Sequence, residues 1–146
     1  MHTTNSIVIR APKEAIFEAV VNLKEWPNIL EHYRSISYYQ RGVTRKKVKM
    51  ACLRSGIPVA WLSEQEIDRD AMEIRFRHLK GWTKGMFVVW TFKETPDGVF
   101  VEIIHDLKSP IPFLAPVVEK VIGGFFVKHI ADQTLAGLKK HLEKKG

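Results

Sequence analysis

Cysteine is nearly absent from this chain, since Cys52 is the only one among 146 residues. That excludes a disulfide framework within the chain and a metal site built from several thiolates. No apolar stretch approaches the roughly 18 residues of a membrane span, and no basic N-terminal region leads into an apolar run. We therefore expect a soluble, unprocessed, cytoplasmic protein.

Motifs of nucleotide, metal and hydrolase chemistry are also missing. No glycine-rich phosphate loop follows a strand pattern, no His-x-x-x-His spacing occurs, and Ser55-Gly56 lacks a nucleophile-elbow pattern. His78 and His105 have no inward carboxylate that could complete a metal site, because Asp106 has the outward parity. We expect neither a cofactor nor a bound metal.

Acidic residues are outnumbered, with 16 Asp and Glu against 23 Lys and Arg, which leaves a net charge of +7. A basic surface of this kind attracts nucleic acid, an anionic membrane or an acidic carrier protein. The densest basic segment is 41–49, where Lys47 and Lys49 alternate with Val48 and Met50 as on the solvated face of a strand. No aromatic residue for base stacking is interleaved there, so nucleic acid is not expected. Transient contact with a membrane or a carrier protein stays open.

The composition, 45% hydrophobic and 27% charged, indicates one globular domain over residues 1–146. Ile7 and Ile9 alternate with polar neighbours in a first strand. Pro12 suits the first turn of an amphipathic helix, which we expect to end at Trp26-Pro27. A second short helix is predicted at about Pro27 to Leu30, because Pro27 disfavours helical geometry at Trp26.

Six further strands are predicted between Tyr33 and Leu107, with turns at intervals too short for intervening helices, which indicates an antiparallel meander. Alternation along four of these strands places one set of side chains on a common concave face. These sets are Val59, Trp61, Ser63, Gln65 and Ile67; Met72, Ile74, Phe76 and His78; Met86, Val88, Trp90 and Phe92; and Val101, Ile103, His105 and Leu107.

After Pro112 the pattern is helical to the end of the chain, with Val118, Ile122, Phe125 and His129 beside the main apolar stripe. Gly123-Gly124 is predicted to allow a kink or a close approach to the sheet. One long helix covering a curved sheet leaves an apolar cavity wherever the two do not meet. The mixture of Trp, Tyr, His and Gln among its expected lining suits a ligand pocket.

Seven short motifs stand out along the chain: Asn5-Ser-Ile-Val8, Ala11-Pro12, Trp26-Pro27, Tyr33, Trp61-Leu-Ser63, Trp90-Thr-Phe92 and Gly98. Together they resemble the bacterial polyketide aromatase/cyclases of the START-like (SRPBCC) superfamily. The resemblance extends over nearly the full length and implies an α+β helix-grip fold, in which a seven-stranded curved antiparallel sheet wraps on a long C-terminal helix and two short helices follow the first strand.

The resemblance also implies functional positions. In that family an Arg two positions beyond the serine of the Trp-x-Ser strand, with the tyrosine after the second helix, is understood to act on a bound poly-β-ketone. Tyr33 matches the tyrosine, but Gln65 occupies the position of the Arg, and His78 that of a further interior Arg. Losing both cations removes a source of enolate stabilisation.

Two functions follow from these residues. The first is a carrier or ligand-binding protein for a hydrophobic, partly oxygenated small molecule of the polyketide, quinone or lipid class. The alternative is an aromatase/cyclase that catalyses aldol ring closure and dehydration. The candidate catalytic residues are Tyr33, His78 and His105, and the candidate ligand-binding residues are Trp26, Tyr33, Trp61, Gln65, His78, Trp90, Ile103, His105, Phe125 and His129.

Each candidate also has a purely structural explanation. The tryptophans bury large areas whatever their role, a buried Tyr33 needs only a hydrogen-bond partner, and either histidine is stable in a core once its ring is hydrogen-bonded. The residues predicted on the outer face of the sheet are more apolar than a fully solvated face, which makes a dimer contact possible. We therefore expect either a monomer or a weak homodimer. The apolar residues on that face include Leu62, Val89, Phe100 and Ile104.

Overall fold

The computed structural model describes residues 1–81, 83–108 and 112–144. Its seven strands form one antiparallel sheet in the order β1-β7-β6-β5-β4-β3-β2, so that β2 to β7 make a meander and β1 joins its far edge. The strands are β1 (His2–Ile9), β2 (Tyr33–Arg41), β3 (Arg45–Arg54), β4 (Ile57–Asp68), β5 (Glu73–His78), β6 (Phe87–Thr95) and β7 (Gly98–Asp106).

The helices occur in two segments of the chain, one between β1 and β2 and the other after β7. Two short helices and a connecting 3₁₀ turn follow β1, and a helix of 30 residues follows β7. Their bounds are α1 (Lys13–Val21), the 3₁₀ turn (Leu23–Glu25), α2 (Trp26–Ile29), a second 3₁₀ turn (Pro112–Leu114), α3 (Ala115–Val117), a π-helix (Val118–Lys128) and α4 (His129–Lys144). The predicted helix-grip fold is confirmed.

Three local predictions differ from the structure. The first helix ends at Val21 and not at Trp26-Pro27, because Asn22 leaves helical geometry with a ψ of 70°. Helix α2 begins at Trp26, which has helical dihedrals, because Pro27 occupies the second helical position, where an amide hydrogen would have no helical partner. Met72 lies outside β5, since its φ of 53° places it in the turn before Glu73. The inward series on that strand therefore begins at Ile74.

The sheet curves around the long helix. Two irregularities in the β2–β3 pairing, between Tyr33 and Ser35 and between Tyr38 and Gln40, increase the local twist at that edge. At the other edge, α4 packs on β1 and α1. Its buried leucines Leu135, Leu138 and Leu142 share one core with Ile9, Ile16 and Val20.

The π-helix was not predicted. Its wider turn bonds each amide to a carbonyl five residues back, and the return to α-helical bonding leaves carbonyl groups near the junction without helical partners. Asn5 Nδ2 donates to the Lys128 carbonyl at 2.9 Å and to Asp132 Oδ1 at 2.6 Å. The Phe125 carbonyl accepts from Arg54 Nε at 2.8 Å. The sheet thus fixes the π-helix through side chains of β1 and β3.

Gly123 makes the close approach to the sheet that the sequence predicts. A Cβ atom at this position would lie 2.9 Å from the Met1 Cγ atom, closer than van der Waals contact allows. Among the described residues, no helix is both long enough and apolar enough to cross a membrane.

Candidate functional site

A cavity lies between the concave face of the sheet and the segment where the π-helix passes into α4. Its volume is about 90 Å³. Its lining from the sheet side is Trp26, Tyr33, Met50, Val59, Ala60, Trp61, Phe76, His78, Thr83, Met86, Val88, Trp90, Ile103 and His105, and from the long helix Ile122, Phe126, Val127, Ile130, Ala131 and Thr134.

Strand register brings the polar lining residues of the sheet together. Phe76 pairs with Val88, and Val88 pairs with His105, so these three side chains form a row across β5, β6 and β7. His78 follows Phe76 on the same face of β5. Period-two alternation therefore places both imidazoles on one wall of the cavity.

A connected series of aromatic rings forms another wall. The Trp26 ring lies 5.1 Å from the Tyr33 ring and 6.0 Å from the Trp90 ring. Tyr33 contacts Trp61 edge-on at 6.2 Å, and Trp61 is parallel to the His78 imidazole at 5.7 Å. The Trp26 indole also donates to the Ala19 carbonyl at 3.0 Å, which fixes its orientation. These contacts hold the ring faces in place before any ligand arrives.

Thr134 links the long helix to His32, the residue just before β2. Its hydroxyl donates to the Ile130 carbonyl at 2.8 Å, and its Oγ1 lies 3.0 Å from His32 Nε2. Burial raises the pKa of Tyr33 above its ordinary range and lowers that of His32. Tyr33 therefore stays a protonated phenol at neutral pH.

The two cavity histidines are uncharged at neutral pH. Burial lowers the pKa of His78 to about 4, and burial together with the neighbouring His78 lowers that of His105 to about 3. His78 Nδ1 lies 2.8 Å from Thr83 Oγ1, whereas the Nδ1 atom of His105 has no hydrogen-bond partner among the described residues. Each neutral ring offers one donor and one acceptor.

The lining carries no formal charge, since no Asp, Glu, Lys or Arg occurs among the described residues that form it. Nor do three or more His, Cys, Asp or Glu side chains come close enough together to hold a metal ion anywhere in residues 1–81, 83–108 and 112–144. The arrangement can accept a hydrophobic molecule and orient its oxygen atoms by hydrogen bonds. Such a site suits a neutral ligand.

Seven of the ten predicted ligand-binding residues line this cavity and three do not. Gln65 is fully buried under α1, where its Nε2 lies 3.3 Å from the Val21 carbonyl and its Oε1 is unpaired among the described residues. Phe125 points outward and is 38% exposed, with the Arg54 guanidinium 4.0 Å from its ring centre. His129 is half-buried at the start of α4.

The difference on the helix has a simple cause. The prediction used α-helical spacing, which puts residues 118, 122, 125 and 129 on one side. A π-helix has more than four residues per turn, so the inward positions after Ile122 are Phe126, Val127, Ile130 and Ala131. Met50, Thr83 and Thr134 also line the cavity, although they were not among the predicted site residues. Alternation along β3 could have identified Met50, whereas Thr83 lies in a loop without periodicity.

Partly exposed lining residues mark the mouth of the cavity. On the sheet side these are Val59, Ala60 and Trp61 near the start of β4, Thr83 in the β5–β6 loop and His105 on β7. On the helix side they are Phe126 and Val127. A ligand would therefore enter between the start of β4 and the π-helix.

Comparison with families of known proteins shows to which family this chain belongs. Residues 1–143 match the model of a family described as polyketide cyclase/dehydrase and lipid transport. The chain belongs to this family. A protein of Streptomyces cyaneus named as a candidate polyketide cyclase is 31% identical over 108 residues, which are 72% of this chain and 71% of the relative.

Solved structures share the fold of this family member. The Zhui aromatase/cyclase of a Streptomyces species superposes with a TM-score of 0.82 at 12% identity, covering 99% of this chain and 94% of that protein. A START superfamily protein of Mycobacterium smegmatis gives a TM-score of 0.76 at 13% identity and covers 99% of both chains. The predicted relationship to the polyketide cyclases is confirmed by the family match, and the fold is shared with this START superfamily protein.

Proposed function

We propose that this protein is a cytoplasmic carrier, or sequestering protein, for a neutral, hydrophobic and partly oxygenated molecule of the polyketide, quinone or lipid class. The observation that carries the proposal is the absence of formal charge from the described lining, together with three neutral hydrogen-bonding residues, Tyr33, His78 and His105. Aromatic faces supply apolar contact, and these residues orient carbonyl or hydroxyl oxygens.

The protonation states favour binding over catalysis. A general base works best when its pKa lies near the operating pH, and histidines with pKa values of about 4 and about 3 are weak bases at neutral pH. The Tyr33 phenol does not ionise there either. No described cation faces the cavity to stabilise an enolate. The polar residues therefore serve as fixed hydrogen-bonding groups.

The alternative function is aldol ring closure and dehydration of a poly-β-ketone. The observation in its favour is that all three candidate catalytic residues line one cavity, in a chain related to a candidate polyketide cyclase. Under this alternative the cavity folds the polyketone, and Tyr33, His78 or His105 transfers the proton.

Binding and turnover measured on the same protein distinguish the two functions. Native mass spectrometry of purified protein identifies the class of a retained ligand, and calorimetric titration with naphthoquinone, a neutral oxygenated probe, gives an affinity. The carrier proposal expects saturable one-to-one naphthoquinone binding and no ring closure of a poly-β-ketone above the uncatalysed rate.

Ring closure by the native protein that is lost in Tyr33→Phe or His78→Ala, at unchanged naphthoquinone affinity, would establish the enzyme instead. Lys47→Ala on the outer face is the control variant, since Lys47 does not line the cavity. Absence of both binding and turnover would contradict both functions.

A further inference from the structure

The outer side of the π-helix and the turn before it carry five of the nine large apolar residues that are exposed in the described part of the chain. Val117, Val121 and Phe125 are 55%, 42% and 38% exposed and recur every four residues, which places them along one side of the helix. The preceding turn adds Phe113, which is 79% exposed, and Leu114. We call this surface the helix patch; it comprises Phe113, Leu114, Val117, Val121 and Phe125.

Basic groups border the helix patch. Lys120 and Lys128 are exposed on the π-helix, and the Arg54 guanidinium lies 4.0 Å from the Phe125 ring centre. None of the three forms an ion pair with a carboxylate in the described part of the chain. The one acidic residue of the π-helix, Glu119, is paired with the Met1 amino group at 3.0 Å. The border is therefore positively charged.

The helix patch lies beside the mouth of the cavity. Phe126 and Val127 line the mouth from the π-helix, and Phe125 is the neighbouring residue on the patch. Across the mouth, Ile57 is 44% exposed and pairs with Arg54 at the β3–β4 turn. One end of the molecule thus combines exposed apolar side chains, unpaired cations and the opening of an apolar cavity.

We propose that the helix patch docks this protein on an anionic lipid bilayer, with the cavity mouth held at the bilayer surface. Helices that lie in a membrane interface combine a buried apolar side with flanking Lys and Arg residues, and this is the arrangement of 113–128 with Arg54. An acidic protein partner would match the cations but not a strip of five exposed apolar side chains. The proposed carrier function gives docking its purpose, because a hydrophobic ligand then passes between bilayer and cavity without crossing water.

Vesicle co-sedimentation tests the docking directly. Phosphatidylcholine vesicles containing phosphatidylglycerol are expected to bind the ligand-free protein, with binding that weakens steeply as salt rises, and phosphatidylcholine vesicles alone are expected to bind it much less. The double variant Val117→Gln/Val121→Gln removes apolar area from the helix patch and should lower partitioning about tenfold.

A second variant tests the charge without touching the apolar side chains. Lys120→Gln/Lys128→Gln should lower partitioning onto anionic vesicles by about tenfold and leave the weak binding to neutral vesicles unchanged. The matched controls lie in the β2–β3 hairpin, where Val43 is 91% exposed and segment 41–49 is the densest basic run. Val43→Gln and Lys47→Gln/Lys49→Gln should change partitioning by less than about twofold.

The proposal is overturned if native protein does not bind anionic vesicles, if neutral vesicles bind it equally well, or if the hairpin variants lose as much binding as the helix variants. Binding to an acidic protein without binding to vesicles also overturns it. Naphthoquinone titration without lipid tests the carrier function alone, so failure of docking and failure of ligand binding give separate results. Unchanged naphthoquinone affinity in the helix variants shows that they are folded.

Discussion

The space between the sheet and the long helix differs completely at its two ends. At the packed end, Leu135 and Leu138 of α4 are buried in one core with Ile9, Ile16 and Val20. At the cavity end, the π-helix and the first turns of α4 face Trp61, His78 and His105 across about 90 Å³ of open space. The same sheet and the same helix thus form both a solid core and a pocket.

The difference lies in side-chain shape and helix winding. At the packed end, branched aliphatic residues on an α-helix fill the space between helix and sheet. At the cavity end, large aromatic rings are fixed by edge-on contacts with one another, so they cannot move to fill the space that remains. Strand β4 crosses both regions, because Trp61 lines the cavity and Gln65 lies under α1. Position along one strand therefore decides whether an inward side chain faces the cavity or the packed core.

The largest expected effect is the loss of stability in Gln65→Arg. Its side chain is fully buried outside the cavity, so an arginine there would be a buried charge without a partner, and we expect the free energy of unfolding to fall by at least about 3 kcal/mol. Urea unfolding measures it. We also expect no ring closure from this variant, since the new cation would not reach the pocket.

Gln65→Met is the matched control, because it keeps a long side chain and removes only polarity. Its free energy of unfolding should change by about 1 kcal/mol or less. An arginine variant as stable as the methionine variant, or one that closes a polyketone ring, would show that this position belongs to the cavity end.

Next in size is the contrast between Leu138→Ala and Ile122→Ala. Leu138 is fully buried at the packed end, so its truncation should cost about 3 kcal/mol of stability and leave naphthoquinone affinity unchanged. Ile122 borders existing open space, so its truncation should cost about half as much and change the affinity. Thermal unfolding measures the stability of the two variants, and calorimetric titration measures their naphthoquinone affinity. Equal losses of stability with equal affinities would contradict the difference between the packed end and the cavity end.

The third effect is an acid-sensitive cavity end. The pKa values of His78 and His105 in the folded protein, about 4 and about 3, lie below the ordinary value of 6.5. The unfolded chain therefore takes up these protons first as the pH falls, so the stability that the neutral histidines contribute is present above about pH 6.5 and is lost toward the folded pKa values. The free energy of unfolding measured with urea should be lower at about pH 5 than at about pH 7, by about 2 kcal/mol for each histidine.

Histidine variants assign the acid sensitivity. His78→Gln and His105→Gln should each flatten the profile of unfolding free energy against pH, and Val43→Gln, at an exposed site in the β2–β3 hairpin, should not. A profile that keeps its slope in both cavity variants would mean that the sensitivity originates elsewhere.

The smallest expected effect separates the cavity wall from the outer face of the sheet. Trp61→Ala should weaken naphthoquinone binding about tenfold, because the ligand loses an aromatic face, and Lys47→Ala should change it less than about twofold. Quenching of tryptophan fluorescence by naphthoquinone supplies an independent readout in the lysine variant. Equal losses in the two variants would place Trp61 outside the binding site.

Strand alternation predicted most of this arrangement. Period-two patterning assigned Trp61, His78, Trp90 and His105 to the inward face, and all four line the cavity, although their role in binding stays a prediction. The fold itself was predictable because turn residues and alternating strands are local signals, and because the resemblance extends over nearly the whole chain.

The helix side of the site was not predictable in the same way. Whether a helix bonds to the fourth or the fifth preceding carbonyl depends on tertiary partners such as Asn5 and Arg54, which hold its carbonyls from distant strands. The sequence pattern does not encode that choice, so Phe125 was taken as inward in place of Phe126. Gln65 shows the other limit, since parity predicts the face of a strand but not what covers it.

The desolvation that keeps His78 and His105 neutral acts on whatever shares their cavity. An acidic phenol bound there would hold its proton at a pH where it ionises in water, and an amine would release one. The cavity therefore favours the uncharged form of a titratable molecule, as transfer from water into an organic solvent does. For a proposed carrier, the acidity of the surrounding solution would then select which molecules are taken up and which are left in water.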